Sequence, residues 1–94
     1  MNLHEYRKKH KDQLLDIMPI VRKEMLKGIM FSGLCSITAR LSAAGKISEE
    51  QEDVFDGYVY FFDTDKHGAY VWPIGEKEPR LEWLDEQEQI LNKL

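Results

Sequence analysis

The chain has 94 residues, 43% of them hydrophobic and 32% charged, with a formal net charge of −4; that is one ordinary globular domain, too short to bury more than a small core. A single cysteine excludes an intramolecular disulfide and a Cys-rich zinc pattern, in keeping with a reducing cytoplasm. No apolar run reaches the roughly 18–20 residues that cross a bilayer, and the N-terminus lacks the apolar segment of a signal peptide, so the expected location is cytoplasmic.

Leu14, Met18, Val21, Met25 and Ile29 recur at steps of three and four and trace one face of a first helix. The spacing predicts a helix from about residue 4 to Gly28, kinked or restarted at Pro19, whose ring removes a backbone donor without changing the phase. Leu34, Ile37, Leu41 and Ala44 form the stripe of a second helix, with Ser32 as its candidate N-cap and Gly45 as a left-handed terminator. Ser48 followed by Gln51 is a capping-box pattern that opens a third helix, and Val54, Phe55, Tyr58, Val59 and Phe62 continue it. A strand over 58–62, paired with 69–72 in a hairpin, is the competing reading; the cap and the 54/58/62 spacing favour the helix, and Gly57 argues against it. Pro79 suits the first turn of a last helix, whose apolar side carries Leu81, Trp83, Leu84, Ile90, Leu91 and Leu94.

The expected fold is therefore mostly α, a single domain over 1–94 with about four helices and at most one short strand or hairpin near 58–72. Its expected core is Leu14, Met18, Val21, Met25, Leu34, Ile37, Leu41, Phe55, Val59, Leu84 and Leu91.

Little in the residues points to catalysis or to a metal. Asp63-x-Asp65-x-x-Gly68 opens like a calcium loop, but the twelfth position, which must supply a bidentate acid, is Ile74. His4, His10 and His67 share no ligand spacing, and Cys35 beside the second stripe reads as a small buried hydrophobe. The six glycines are scattered and form no phosphate loop. The chain is accordingly read as non-enzymatic, with no cofactor and no metal. The basic run Tyr6–Lys11 in an acidic chain does not make nucleic acid an expected partner.

The segment AYVWPIGEKEPRLEWL, residues 69–84, holds the best candidate site. Trp72 can stack on a flat ring and Arg80 can clamp a phosphate or carboxylate, at a helix start whose free N–H groups favour an anion. Tyr70, Trp83, Lys46 and Lys77 complete the candidate ligand-binding set, and the class of ligand that fits is a nucleotide-type small molecule. The competing reading makes Trp72 and Trp83 core or interface aromatics, with Arg80 paired to an acid such as Glu76 or Asp85.

Gly33-Leu34-Cys35 at a helix start, then Tyr70-x-Trp72-Pro73-x-Gly75, then Arg80 three residues before Trp83-Leu84, resembles a group of small tailed-phage and prophage proteins. The likeness covers roughly residues 28–91. It implies a phage accessory protein acting by binding in the cytoplasm of a bacterial host, with sequestration of a nucleotide-derived signal of anti-phage defence as the favoured role. The alternative is a protein-binding inhibitor that uses the acidic face from Glu76 to Glu88 against a basic host protein.

Residues 1–47 carry nine Lys/Arg against four Asp/Glu, and residues 48–94 carry four against thirteen. Either the two halves face each other within the fold, or the basic face of one subunit meets the acidic face of another. With the small core and the two tryptophans, the second arrangement makes a homo-oligomer, most simply a dimer, the expected state. Light scattering at high protein concentration and low salt should give a particle larger than one chain; a particle of monomer mass excludes the dimer.

Overall fold

The computed structural model describes residues 1–27, 34–62 and 78–94, with residues 34, 35 and 78–80 described only by their place in a helix. Four helices follow one another: α1 (Leu3–Met25), α2 (Leu34–Ala43), α3 (Glu49–Tyr60) and α4 (Glu78–Asn92). No strand occurs among the described residues, and the expected small helical domain is what the chain forms. Helix α1 packs against each of the other three, and α2 packs against α3.

Helix α1 starts where the Asn2 side chain accepts a hydrogen bond from the Glu5 amide at 2.8 Å. Its inner face buries Leu14, Ile17, Met18, Val21 and Met25, each 1% exposed or less. The helix does not restart at Pro19 but runs through it, and the residue with non-helical dihedrals is His10 (φ −112°, ψ 15°). Pro19 is exposed, while Met18 and Val21 stay buried in the core and carry the helix across the missing donor. Before the bend at His10, Tyr6 and Arg7 fasten the first turns to α3 and α4. The Tyr6 hydroxyl donates to the Val54 carbonyl at 2.7 Å, and the Tyr6 ring lies 4.4 Å from that of His10 and 5.2 Å from that of Phe61.

Gly45 ends α2 as expected, with φ +73°. The Gly45 amide donates to the Ser42 carbonyl at 3.0 Å and the Lys46 amide to the Leu41 carbonyl at 2.9 Å, the two bonds of a Schellman ending. The capping box of α3 also forms. The Gln51 amide donates to Ser48 Oγ at 3.1 Å and the Ser48 amide to Gln51 Oε1 at 2.8 Å. Residues 58–60 are helical and 61–62 form a turn; the second arm of the alternative hairpin, 69–72, lies outside the described residues, as do Ser32, Ile29 and Gly28.

Every expected core residue whose side chain is described is buried, along with Ile17, Ile47, Val54, Tyr58 and Trp83. Ile90 and Leu94, expected on the apolar side of α4, are instead 37% and 42% exposed. A polar contact joins three helices inside this core. Arg7 Nε donates to the Tyr58 hydroxyl at 2.9 Å, Arg7 Nη2 donates to Gln87 Oε1 at 3.0 Å, and the Tyr58 hydroxyl donates to the same Gln87 oxygen. Burial pushes the Tyr58 phenol above its ordinary pKa, against the opposite pull of Arg7.

Gly57, which in the sequence argues against a helix, has a packing reason. A Cβ placed there would lie 2.6 Å from the Tyr6 hydroxyl oxygen, so the helix accepts glycine's lower propensity to admit the Tyr6–Val54 contact. Gly57→Ala should therefore destabilise the protein by about 1 kcal/mol, although alanine is the better helix former by about that amount. In a Tyr6→Phe background the clashing oxygen is gone, and the same change should become neutral or stabilising. Chemical denaturation of the four proteins in this cycle measures the coupling; an equal effect of Gly57→Ala in both backgrounds excludes the explanation.

Candidate functional site

The residues read as a ligand set are not all within the described structure. Tyr70, Trp72 and Lys77 lie outside it, and Arg80 is described only as part of α4. Trp83 is 8% exposed and packs in the core against the rings of Phe62 at 5.1 Å, Tyr58 at 5.9 Å and Phe55 at 6.4 Å. That is where the competing reading puts this tryptophan. Lys46 lies elsewhere, at the end of α2, and its ionic partner is Glu24 of α1. No described contact joins Lys46 to Trp83.

What the structure does build around Lys46 is a cleft of about 450 Å³, lined by Pro19, Ile20, Lys23, Glu24 and Lys27 from α1 and the turn after it, Leu41 from α2, and Lys46. Its origin is the meeting of two helix ends. α1 and α2 both terminate here, and each is followed by a lysine, the residue type the negative pole of a helix favours. Pro19, Ile20 and Leu41 give the cleft an apolar lining, and the lysines supply its charge.

Glu24 organises that charge. Its side chain is only 6% exposed, yet it receives Lys27 Nζ at 2.9 Å, Arg40 Nε at 3.4 Å and Lys46 Nζ at 3.6 Å. The hydrogen bond from Lys27 is the main reason its carboxyl is held below the usual glutamate range; the charges of Lys27, Lys46 and Arg40 act in the same direction, and burial acts against them. Lys46 is lowered from the ordinary lysine value, above all by Lys27 beside it. One carboxylate against Lys23, Lys27 and Lys46 leaves the lining with a surplus of two positive charges, and Arg40 stands just behind. The cleft is thus suited to an anion that also carries an apolar portion.

Neither Lys27 nor Glu24 stands out in the sequence. Lys27 reads as a helix-end cation, and Glu24 falls between the stripe residues Val21 and Met25. An acid on an apolar face is the signal that finds this site, because a buried carboxylate requires cations around it. Elsewhere the charges pair across the two halves of the chain: Arg22 of α1 holds Asp85 at 2.9 Å and also Glu88, both on α4. Among the described residues no group of three His, Cys, Asp or Glu is gathered as a metal site, and no helix is long and apolar enough to cross a membrane. His4 and His10 lie on α1, and His67 lies outside the described residues.

Because the folded state holds Glu24 below its ordinary pKa, its ion pairs stabilise the protein fully above the unfolded-state value of about 4.5 and lose that effect as pH falls through the lowered folded value. Glu24→Gln should cost about 1 kcal/mol at pH 7, and the difference from wild type should shrink toward zero on acidification below about pH 4. Urea midpoints of the two proteins measured between pH 3 and 7 check this; a constant difference across that range excludes the ion-pair account.

No family model, curated protein or solved structure matches the chain.

Proposed function

We propose that the chain is a non-enzymatic binding protein that captures a nucleotide-type, phosphate-bearing small molecule in the α1–α2 cleft. Lys46, Lys27 and Lys23 hold the phosphate, and Pro19, Ile20 and Leu41 receive the less polar part of the ligand. The observation that carries this reading is the surplus of positive charge gathered around one buried carboxylate in a cleft of ligand size. A bound phosphate relieves the crowding of Lys27 and Lys46, and capture of this kind asks for no catalytic group. The resemblance to small phage proteins supplies the setting: sequestration of a nucleotide-derived signal of host defence in a bacterial cytoplasm.

The inhibitor reading has less to draw on. Arg22 engages Asp85 and Glu88 within the chain, although Asp85, like Glu82 and Glu86, stays exposed.

Calorimetry against AMP, ATP, cyclic dinucleotides and ADP-ribose should find a binder, and Lys27→Ala and Lys46→Ala should each weaken it about tenfold, the size of one charge-assisted contact. Loss of binding on Trp72→Ala or Arg80→Ala with the two lysine variants unaffected moves the site to residues 69–84. Absence of binding by every nucleotide overturns the reading.

A further inference from the structure

The two Glu24 oxygens are used unequally. Oε2 takes Arg40, whereas Oε1 takes both Lys27 and Lys46. One oxygen therefore sets two ammonium groups side by side. Lys27 Nζ is within hydrogen-bond distance of this oxygen at 2.9 Å, whereas Lys46 Nζ, at 3.6 Å, is held by charge alone; an ammonium has three donors, so each lysine keeps donors for a ligand. Both side chains are nearly half exposed, at 46% and 47%, and Lys23 lines the same cleft. The cradle exists before any ligand arrives, because the carboxylate has already drawn the cations together.

We infer that the seat formed by Lys27 and Lys46 selects a terminal phosphate monoester over a phosphodiester. The inference rests on the nucleotide reading and narrows it. Charge is the first reason. A monoester carries about −1.5 to −2 at pH 7, which matches the surplus of two on the lining, whereas a diester carries one negative charge per phosphate. Geometry is the second. A terminal phosphate has three free oxygens, enough to meet Lys27 and Lys46 separately and leave one for Lys23, whereas a diester has two. The apolar residues are the third. Pro19, Ile20 and Leu41 give a place to the body of an organic phosphate that inorganic phosphate does not use.

The test compares AMP with 3′,5′-cyclic AMP and adenosine, which share a base and differ at the phosphate. On the full chain at low salt and pH 7.5, AMP should bind about tenfold or more tightly than cyclic AMP, and adenosine more weakly than either. The side-chain methyl resonances of Ile20 and Leu41 should shift with both nucleotides, which locates them in the cleft. The advantage of AMP should fall between pH 7.5 and pH 5 as its phosphate takes up a proton near pH 6. The charged groups lining the cleft are Lys23, Lys27, Lys46 and Glu24, with Arg40 paired to Glu24, and none of them is a histidine. Lys27→Ala and Lys46→Ala should narrow the gap between the two nucleotides. Equal affinity for AMP and cyclic AMP, with Ile20 and Leu41 shifting for both, overturns the monoester selection and leaves the nucleotide reading standing. Absence of shifts at Ile20 and Leu41 with either nucleotide overturns the cleft reading itself.

Discussion

One helix has to satisfy three neighbours at once. The inner face of α1 buries Leu14, Ile17, Met18, Val21 and Met25, and burial of such side chains contributes roughly 1.5–3 kcal/mol each. Apolar burial has no direction, however, and does not fix how three helices turn around a fourth. The polar side chains of α1 do that. Tyr6 reaches the Val54 carbonyl on α3, Arg7 reaches Tyr58 on α3 and Gln87 on α4, Arg22 reaches Asp85 and Glu88 on α4, and Glu24 reaches Arg40 on α2. Each is a short-range, geometry-dependent contact, and together they span the helix from its first turns to its last.

How much of the fold is legible in the sequence follows from how local each cause is. The Ser48–Gln51 box and the Gly45 ending depend on residues within one turn, and both can be read from the residues alone. The stripes of α1 and α2 are readable because a helix repeats its face. Gly57 points the wrong way because its reason lies 51 positions earlier, in the Tyr6 hydroxyl. Pro19 signals a break by its missing donor, but whether the helix restarts there depends on tertiary packing, and Met18 and Val21 buried in the core carry it through. Trp83 suits both a stacking platform and a core, and only the rings of Phe55, Tyr58 and Phe62 around it decide where it sits. The cleft is the least legible feature, because Glu24, Arg40 and Lys46 come together only when α1 and α2 end side by side.

The uneven division of charge along the chain has two separate outcomes in the fold. Part of it is used internally, where Arg22 of the basic half holds Asp85 and Glu88 of the acidic half. At the α1–α2 end the described counter-charge of Lys27, Arg40 and Lys46 is Glu24, a member of the basic half itself. A chain of net charge −4 thus keeps a local positive site. At physiological ionic strength charges farther away than about 8 Å are largely screened, so the lysines that line the cleft dominate the field on an anion seated there.

Glu24 both weakens and shapes this site. It subtracts one charge from the attraction on an anion, and a cleft without it would have the larger field. Without it, though, Lys27, Lys46 and Arg40 would repel one another and spread into solvent, and a ligand would have to gather them and immobilise their long side chains as it bound. With the carboxylate in place part of that gathering is done during folding. The arrangement gives up some electrostatic strength for a seat already formed, which suits selective retention of one kind of anion better than indiscriminate attraction of many.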